Sequence, residues 1–451
     1  MNKKVFLVTA ISGLLYGAIA ALLPLRLFGA VVVVLAAAVL LLLDYERITY
    51  VVAVYVFIDF IVRKVMGQGI LGAIWDELLL MAAFAVWVYK WFACRRTKAY
   101  RWTPLDIPLL FFFGIGIFLL IVNSPDLAIS IEGLRAVIEY MFWYFLVIQI
   151  LKTRKAAINI CRILVLSMAV LAVHGIIQYI LGVEIPKNWV DMAEKEVRSR
   201  AFSIVGSPNI LGSLMLMLFP VSLSLFYIEN TRLKKLLYLF IAGAMGLCLV
   251  FTLSRGAWLG MIIGVCIYIL MKDKRLFIPF IVFALFVLAF VPSVANRILY
   301  MLSPQYIASS MRGGRLGRWI IGLEKLRENL LFGVGLGHFG GAVAMNNKVP
   351  GTFYMDNYYL KTAVEMGITG LTAFLILCYN VVIQSLRGIV RSDNRTDREL
   401  MQGIFAGLCG VLVHNIGENV FEVPMMVTYF WTLAAIIMFL AYKKEDTCPS
   451  Q

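Results

Sequence analysis

The chain has 451 residues, of which 62% are hydrophobic and only 15% charged, with a formal net charge of +15. That composition excludes a soluble globular enzyme, because apolar runs of membrane-spanning length recur from end to end and leave room for nothing larger than loops between them. The excess lysine and arginine gather in short loops, where they read as a topology signal and require no nucleic-acid partner.

In chain order, the predicted spans centre near residues 14, 35, 55, 81, 113, 144, 169, 216, 245, 264, 285, 372, 408 and 433. The expected fold class is therefore all-α, a polytopic transmembrane helix bundle of about 12 to 14 spans. The start, "MNKKVFLVTAISGLLYGAIAAL", has the basic end and apolar run of a signal peptide, but further spans follow at once and it reads as an uncleaved first span. Basic loops alternate along the chain: "NKK" at the start, Arg47, "RRTKAYR" at 95–101, "KTRK" at 152–155, "TRLKK" at 231–235, "KDKR" at 272–275, Arg387 to Arg398, and Lys443 with Lys444. Positive loops stay cytoplasmic, so a multi-pass membrane protein with both termini cytoplasmic is expected. Arg63 with Lys64 is the one mismatch. Three long segments then face outward: 123–136, 183–203 and about 294–356. The chain divides into N-terminal spans (1–122), a core (123–435) that includes the outer loop, and the end of the last span with a cytoplasmic tail (436–451).

Within the outer loop, "RLGRWIIGLEKLRENLLFGVGLGHF" places Leu316, Trp319, Ile320, Leu323, Leu326 and Leu330 at helical spacing opposite Arg318, Lys325 and Glu328, the pattern of an amphipathic helix lying on the outer surface. In "VFTLSRGAWLGMIIG" (250–264), Arg255 interrupts an apolar run at a cost of about 3 kcal/mol if it lay at the bilayer centre. The alternation of loops puts it instead at an outer turn. The spans centred near 216, 264 and 372 all enter from outside, so their positive dipole ends face outward, and Arg198 with Arg200, Arg255, and "MDN" at 355–357 precede them. Helix N-termini beside arginine forks suit phosphate oxygens, and a lipid-linked phosphate or diphosphate fits such a place.

Other chemistry lacks support. There is no CxxC pair, HExxH or GxxxxGK[ST], so no metal site, cofactor or ATP hydrolysis is implied, and the seven cysteines show no disulfide framework.

Four blocks resemble, in order and spacing, the O-antigen ligase and polymerase superfamily: "RSRAFSIVGSPNILGSLML" (198–216), "TLSRGAWLG" (252–260), "RWIIGLEKLRENLLFGVGLGHF" (318–339) and "DNYYLKTAVEMGITGL" (356–371), over roughly 120–435. The resemblance implies a GT-C-type membrane glycosyltransferase. Such an enzyme takes a glycan from undecaprenyl diphosphate at the outer face and passes it to an acceptor hydroxyl on a glycan or lipid, without nucleotide sugar or metal. It assigns Arg200 and Arg255 to the donor diphosphate, with Arg318 as a third candidate. Ligases of the superfamily carry a histidine before the Asn of an "HN" block, where Asp356 stands here; polymerase-type members often read "DN". Asp356 is the candidate proton acceptor, and His338 could supply the missing imidazole. Glu365 matches the family's "ExGxxG" block, and Asn209, Asn357 and His414 are further candidates.

Each residue also has a plain structural reading. Arg200 and Arg318 could snorkel to headgroups, His338 could be an idle residue of a glycine-rich loop, and Lys361 with Glu365 would pair one turn apart. His414, Asn415 and Glu418 close the span near 408 as ligands or as interface groups, and His174 reads as a core histidine. Asp59, Asp76 and Glu77 are costly if lipid-facing. The leading reading is a polymerase of lipid-linked repeat units in cell-surface polysaccharide synthesis. The alternatives are a ligase acting on a lipid, wall or protein acceptor, a transporter or lipid flippase, and a scaffold for envelope-assembly partners.

Overall fold

The computed structural model of the protein describes residues 45–66, 70–93, 100–185, 199–290, 292–301 and 303–442. The spans expected near residues 14 and 35, and Arg198, lie outside the described residues. The chain forms two compact units, residues 1–51 with 57–98 and residues 52–56 with 99–451.

The described part of the smaller unit holds a single 3-10 turn (Tyr45–Arg47), the first residues of α1 (Ile48–Ala53), most of α2 (Tyr55–Met66) and α3 (Ile70–Ala93), while residues 52–56, where α1 ends and α2 begins, count with the larger unit. There the carboxylate of Asp59 accepts from Arg63 Nε (2.7 Å) and Trp75 Nε1 (3.1 Å), which meets the cost of an acid in an apolar helix within the unit itself.

The larger unit is a helical bundle. Its helices are α4 (Asp106–Val122), α5 (Leu127–Ile138), α6 (Phe142–Ile150), α7 (Arg154–Ile180), α8 (Pro208–Ile228), α9 (Arg232–Phe251) and α10 (Arg255–Lys272), followed by α11 (Phe277–Phe290), α12 (Pro292–Met301), α13 (Pro304–Met311), α14 (Arg315–Glu328) and α15 (Ala342–Asn346), and finally α16 (Tyr358–Arg391), α17 (Arg395–His414) and α18 (Pro424–Tyr442). Among the described residues the sole β contact is an isolated bridge between Glu184 and Ser199. Six helices there are long and apolar enough to cross a bilayer (α7, α8, α9, α10, α16 and α18), or seven if the bent pair Lys274–Phe290 and Val294–Tyr300 makes one span. The run expected to span near 144 is divided between α5, a single 3-10 turn at Glu139–Met141, and α6.

Helix ends follow local chemistry. Ser207, Asn357, Asn394 and Thr153 cap α8, α16, α17 and α7 by accepting from backbone N–H groups in the first turn, and Pro208 at the start of α8 has no N–H to leave unpaired. α17 runs buried between α8 and α10 because small residues let the backbones touch: a Cβ on Gly260 would stand 2.7 Å from the Gly410 carbonyl, and one on Gly407 2.0 Å from that of Met217. The far end of this packet is tied by ion pairs, Arg154 with Asp397 (2.9 Å), Arg162 with Glu229, and Lys272 with Glu399.

α16 is broken at Gly367, whose φ of 65° and ψ of −171° lie outside the helical region. The freed backbone groups pair with the chain that follows α14: Val334 N–H donates to the Val364 carbonyl (2.8 Å), Gly335 N–H to that of Glu365 (3.1 Å), and Ile368 N–H donates to that of Leu330 (2.8 Å). An unwound turn in an apolar helix requires such partners. The break docks the glycine-rich segment 333–341 onto the bundle beside the N-terminus of α16.

Candidate functional site

Four arginines gather around the N-termini of α8, α10 and α16. Arg200, in the stretch leading into α8, donates from Nε to the Thr252 carbonyl (2.7 Å) and from Nη2 to Asn209 Oδ1 (3.0 Å). Arg255 opens α10, and its guanidinium lies 4.8 Å from the ring centre of Tyr306 on α13, a cation–π contact. Arg315 and Arg318 sit one turn apart at the start of α14 and close on Asp356. Arg318 reaches its two oxygens at 3.0 and 3.3 Å, and Arg315 Nε approaches at 3.4 Å. Arg315 also reaches Glu418, at 3.7 Å. Asn209 completes the connection, donating from its amide nitrogen to Glu418 while its oxygen accepts from Arg200.

A continuous line therefore runs Arg200, Asn209, Glu418, Arg315, Asp356, Arg318 through segments distant in sequence. Two features set it apart from the rest of the bundle. Arg318 Nε, and both polar side-chain atoms of the fully buried Asn419, are enclosed without a hydrogen-bond partner among the described residues. The electrostatics of Glu418 are also displaced: burial pushes its carboxyl up to about 7, Asp356 adds to the rise, and Arg315 and Asn209 restrain it. Burial alone would lower the Arg315 guanidinium, yet Glu418 and Asp356 more than offset this and hold it above its ordinary value. Tyr354, whose carbonyl accepts from Arg318, is raised by burial, with Glu418 adding to the rise.

This end of the bundle carries the blocks whose order suggested a family. Residues 238–375 match the O-antigen ligase family. The resemblance to the O-antigen ligase and polymerase superfamily holds over this segment and supports a membrane glycosyltransferase of ligase or polymerase type. No curated protein matches the chain. The matched segment includes Arg255, Arg315, Arg318, Asp356 and Glu365, whereas Arg200, Asn209, His414 and Glu418 lie outside it and reach the cluster through the fold.

The structure brings Arg200, Asn209, Arg318 and Asp356 into one network, with Asn357 capping α16 at its edge by accepting from Leu360 N–H (3.0 Å). His414 borders it: Nδ1 pairs with Ser213 Oγ (2.6 Å) and the ring lies against Gly256, next to Arg255. Glu365 belongs to a second, buried cluster. Lys361 Nζ lies 2.9 Å from Glu365 and 2.8 Å from Glu422, and the two carboxylates accept from Phe339 N–H (3.2 Å) and Ala342 N–H (2.9 Å). That triad braces the glycine-rich segment beneath the site. His338 stands apart, its Nδ1 2.8 Å from the Leu336 carbonyl and close to Gly335, which itself packs on Pro125. His174 pairs with Ser203 Oγ (3.0 Å) but lies on an exposed flank of α7 and not in a core.

Arg318 does not lie opposite the apolar stripe of α14 as its spacing suggested. It shares the inward face with Arg315, Trp319, Gly322 and Leu326, while Ile320 and Leu323 are exposed. The attraction of Asp356 and the room above Gly322, which meets Met355 and Leu360, set this rotation. The sequence reading passed over Arg315 and Tyr306. The Arg-x-x-Arg spacing of Arg315 and Arg318 on a helix that begins at a glycine was the available sign of the first; nothing in the sequence singles out Tyr306.

Proposed function

We propose that the arginine cluster holds the diphosphate of a lipid-linked oligosaccharide, and that the protein polymerises such repeat units at the outer face of the plasma membrane. The observation that carries this reading is the convergence of Arg200, Arg255, and the α14 pair Arg315 and Arg318, from three separate segments, around three helix N-termini, each a source of N–H groups and positive dipole. The basic residues Arg154, Lys234, Lys272 and Arg395 mark the opposite end, which supports an outward-facing site.

The chemistry follows from the charges. The acceptor hydroxyl oxygen attacks the anomeric carbon while the bond from that carbon to the diphosphate oxygen breaks, and guanidinium groups already in place stabilise the charge that develops there. Asp356 holds Arg315 and Arg318 in position before the donor arrives. Glu365, within its triad, fixes the glycine-rich segment beneath the site. Metal ions have no part in this scheme, so EDTA leaves turnover unchanged.

A reconstituted assay with a fluorescent lipid diphosphate-linked oligosaccharide tests it. A ladder of longer lipid-linked products supports polymerisation, and a single transfer to a lipid, wall or protein acceptor supports a ligase. Passage of intact donor across the bilayer without new product overturns both.

A further inference from the structure

We propose that Glu418 takes the proton of the acceptor hydroxyl, and that the arriving donor diphosphate readies it by drawing Arg315 away. This rests on the donor-diphosphate reading above and names a catalytic residue within it.

Asp356 has the geometry of a counter-ion. Both its oxygens are held, one by Arg318 at 3.3 Å and the other by Arg318 at 3.0 Å and Arg315 at 3.4 Å. Glu418 is held differently. It is 2% exposed, at the turn between α17 and α18, and Asn209 orients it by donating from its neutral amide. Arg315, half-buried, is its counter-ion at 3.7 Å. The other charged or titratable groups that bear on Glu418 are Asp356 and Tyr354, and His414 stands near Arg315.

A diphosphate entering between the arginines competes for the fork of Arg315. As that fork turns to phosphate oxygens, Glu418 loses its cationic neighbour beside a newly arrived anion. A buried carboxylate so placed gains affinity for a proton. The step balances as follows. The acceptor O–H bond breaks and its proton passes to the Glu418 carboxylate. The oxygen's electron pair forms the bond to the anomeric carbon, and the bond from that carbon to the diphosphate breaks with its pair left on the phosphate oxygen. When the lipid diphosphate leaves, Arg315 returns and Glu418 gives its proton to water.

The test uses the full-length protein in nanodiscs with a lipid diphosphate-linked oligosaccharide, comparing wild type, Glu418→Gln, Glu418→Asp and Asp356→Asn, with azide as a nucleophile that carries no proton to lose. Glu418→Gln should bind donor within threefold of wild type and lose hydroxyl transfer by about 100-fold or more, while azide restores donor consumption with release of a glycosyl azide. Glu418→Asp should transfer to hydroxyl at an intermediate rate. In wild type, hydroxyl transfer should fall below neutral pH while azide transfer does not, which serves if a variant fails to fold. Hydroxyl transfer by Glu418→Gln within tenfold of wild type, or azide rescue of Asp356→Asn in place of Glu418→Gln, overturns the assignment. A wild type that binds donor and consumes none with either nucleophile overturns the glycosyl-transfer reading itself.

Discussion

The displaced carboxyl of Glu418 has a thermodynamic consequence that can be measured without substrate. Its affinity for a proton moves from the ordinary 4.5 to about 7 in the folded protein, and at about 1.4 kcal/mol per unit this separation is worth about 3 kcal/mol. The folded state binds the proton more strongly than the unfolded one. The contribution is therefore fully present below pH 4.5 and is lost as pH rises to about 7. Glu418→Gln preserves an acceptor for Asn209 and removes the titration. Equilibrium unfolding of both proteins in bicelles from pH 4.5 to 8 cancels the groups they share, and the variant should gain about 3 kcal/mol relative to wild type across that window. Parallel stability curves, or a variant that loses ground as pH rises, would refute the argument that burial dominates the Glu418 environment.

The second cluster makes a larger static prediction. Lys361→Met leaves Glu365 and Glu422 buried without their cation and should cost about 3–5 kcal/mol, most of it recovered when both acids are also changed to Gln; the same unfolding measurement decides. Gly367→Ala places a Cβ 2.2 Å from the Leu331 carbonyl at a φ of 65°, and should sharply reduce the yield of monodisperse protein. Tyr306→Leu removes the ring that faces Arg255 and should weaken donor binding about two- to fivefold, while Tyr306→Phe leaves it unchanged, as read by titration with the lipid-linked donor.

Hydropathy located α7, α8, α9, α10, α16 and α18 because a helix of bilayer length writes its burial into consecutive residues. It also placed a helix near residue 408, where α17 lies, although α17 is not among the helices apolar enough to pass as a span by composition. Its burial comes from glycine contacts with α8 and α10, which hydropathy does not weigh. The same limit hid the change of pitch at Glu139–Met141 and the break at Gly367, since a window average registers apolarity and not backbone geometry. The site was legible where arginine stands at the head of an apolar helix, as at Arg255, or heads a quoted block, as at Arg318. The candidate cluster was illegible where its assembly depends on which side of a helix faces in. Arg315, Arg318 and Trp319 share one stripe, and only the position of Asp356 tells which way that stripe turns. Glu418 could be noticed as an acid at a span end, but its bond to Asn209, and through it the link to Arg200, crosses 209 residues of sequence and arises only in the fold.

The role proposed for the arginines is to converge on the diphosphate of a lipid-linked glycan. Its most direct test is the affinity of the purified protein for a short-chain prenyl diphosphate-linked oligosaccharide, with Arg255→Ala and Arg315→Ala beside Lys325→Ala, which changes a basic residue of α14 outside the network. Loss of a charge-assisted contact of about 1.5–3 kcal/mol predicts binding weakened roughly ten- to a hundredfold in each of the two cluster variants and unchanged in the third. Equal binding by all four proteins would contradict the account.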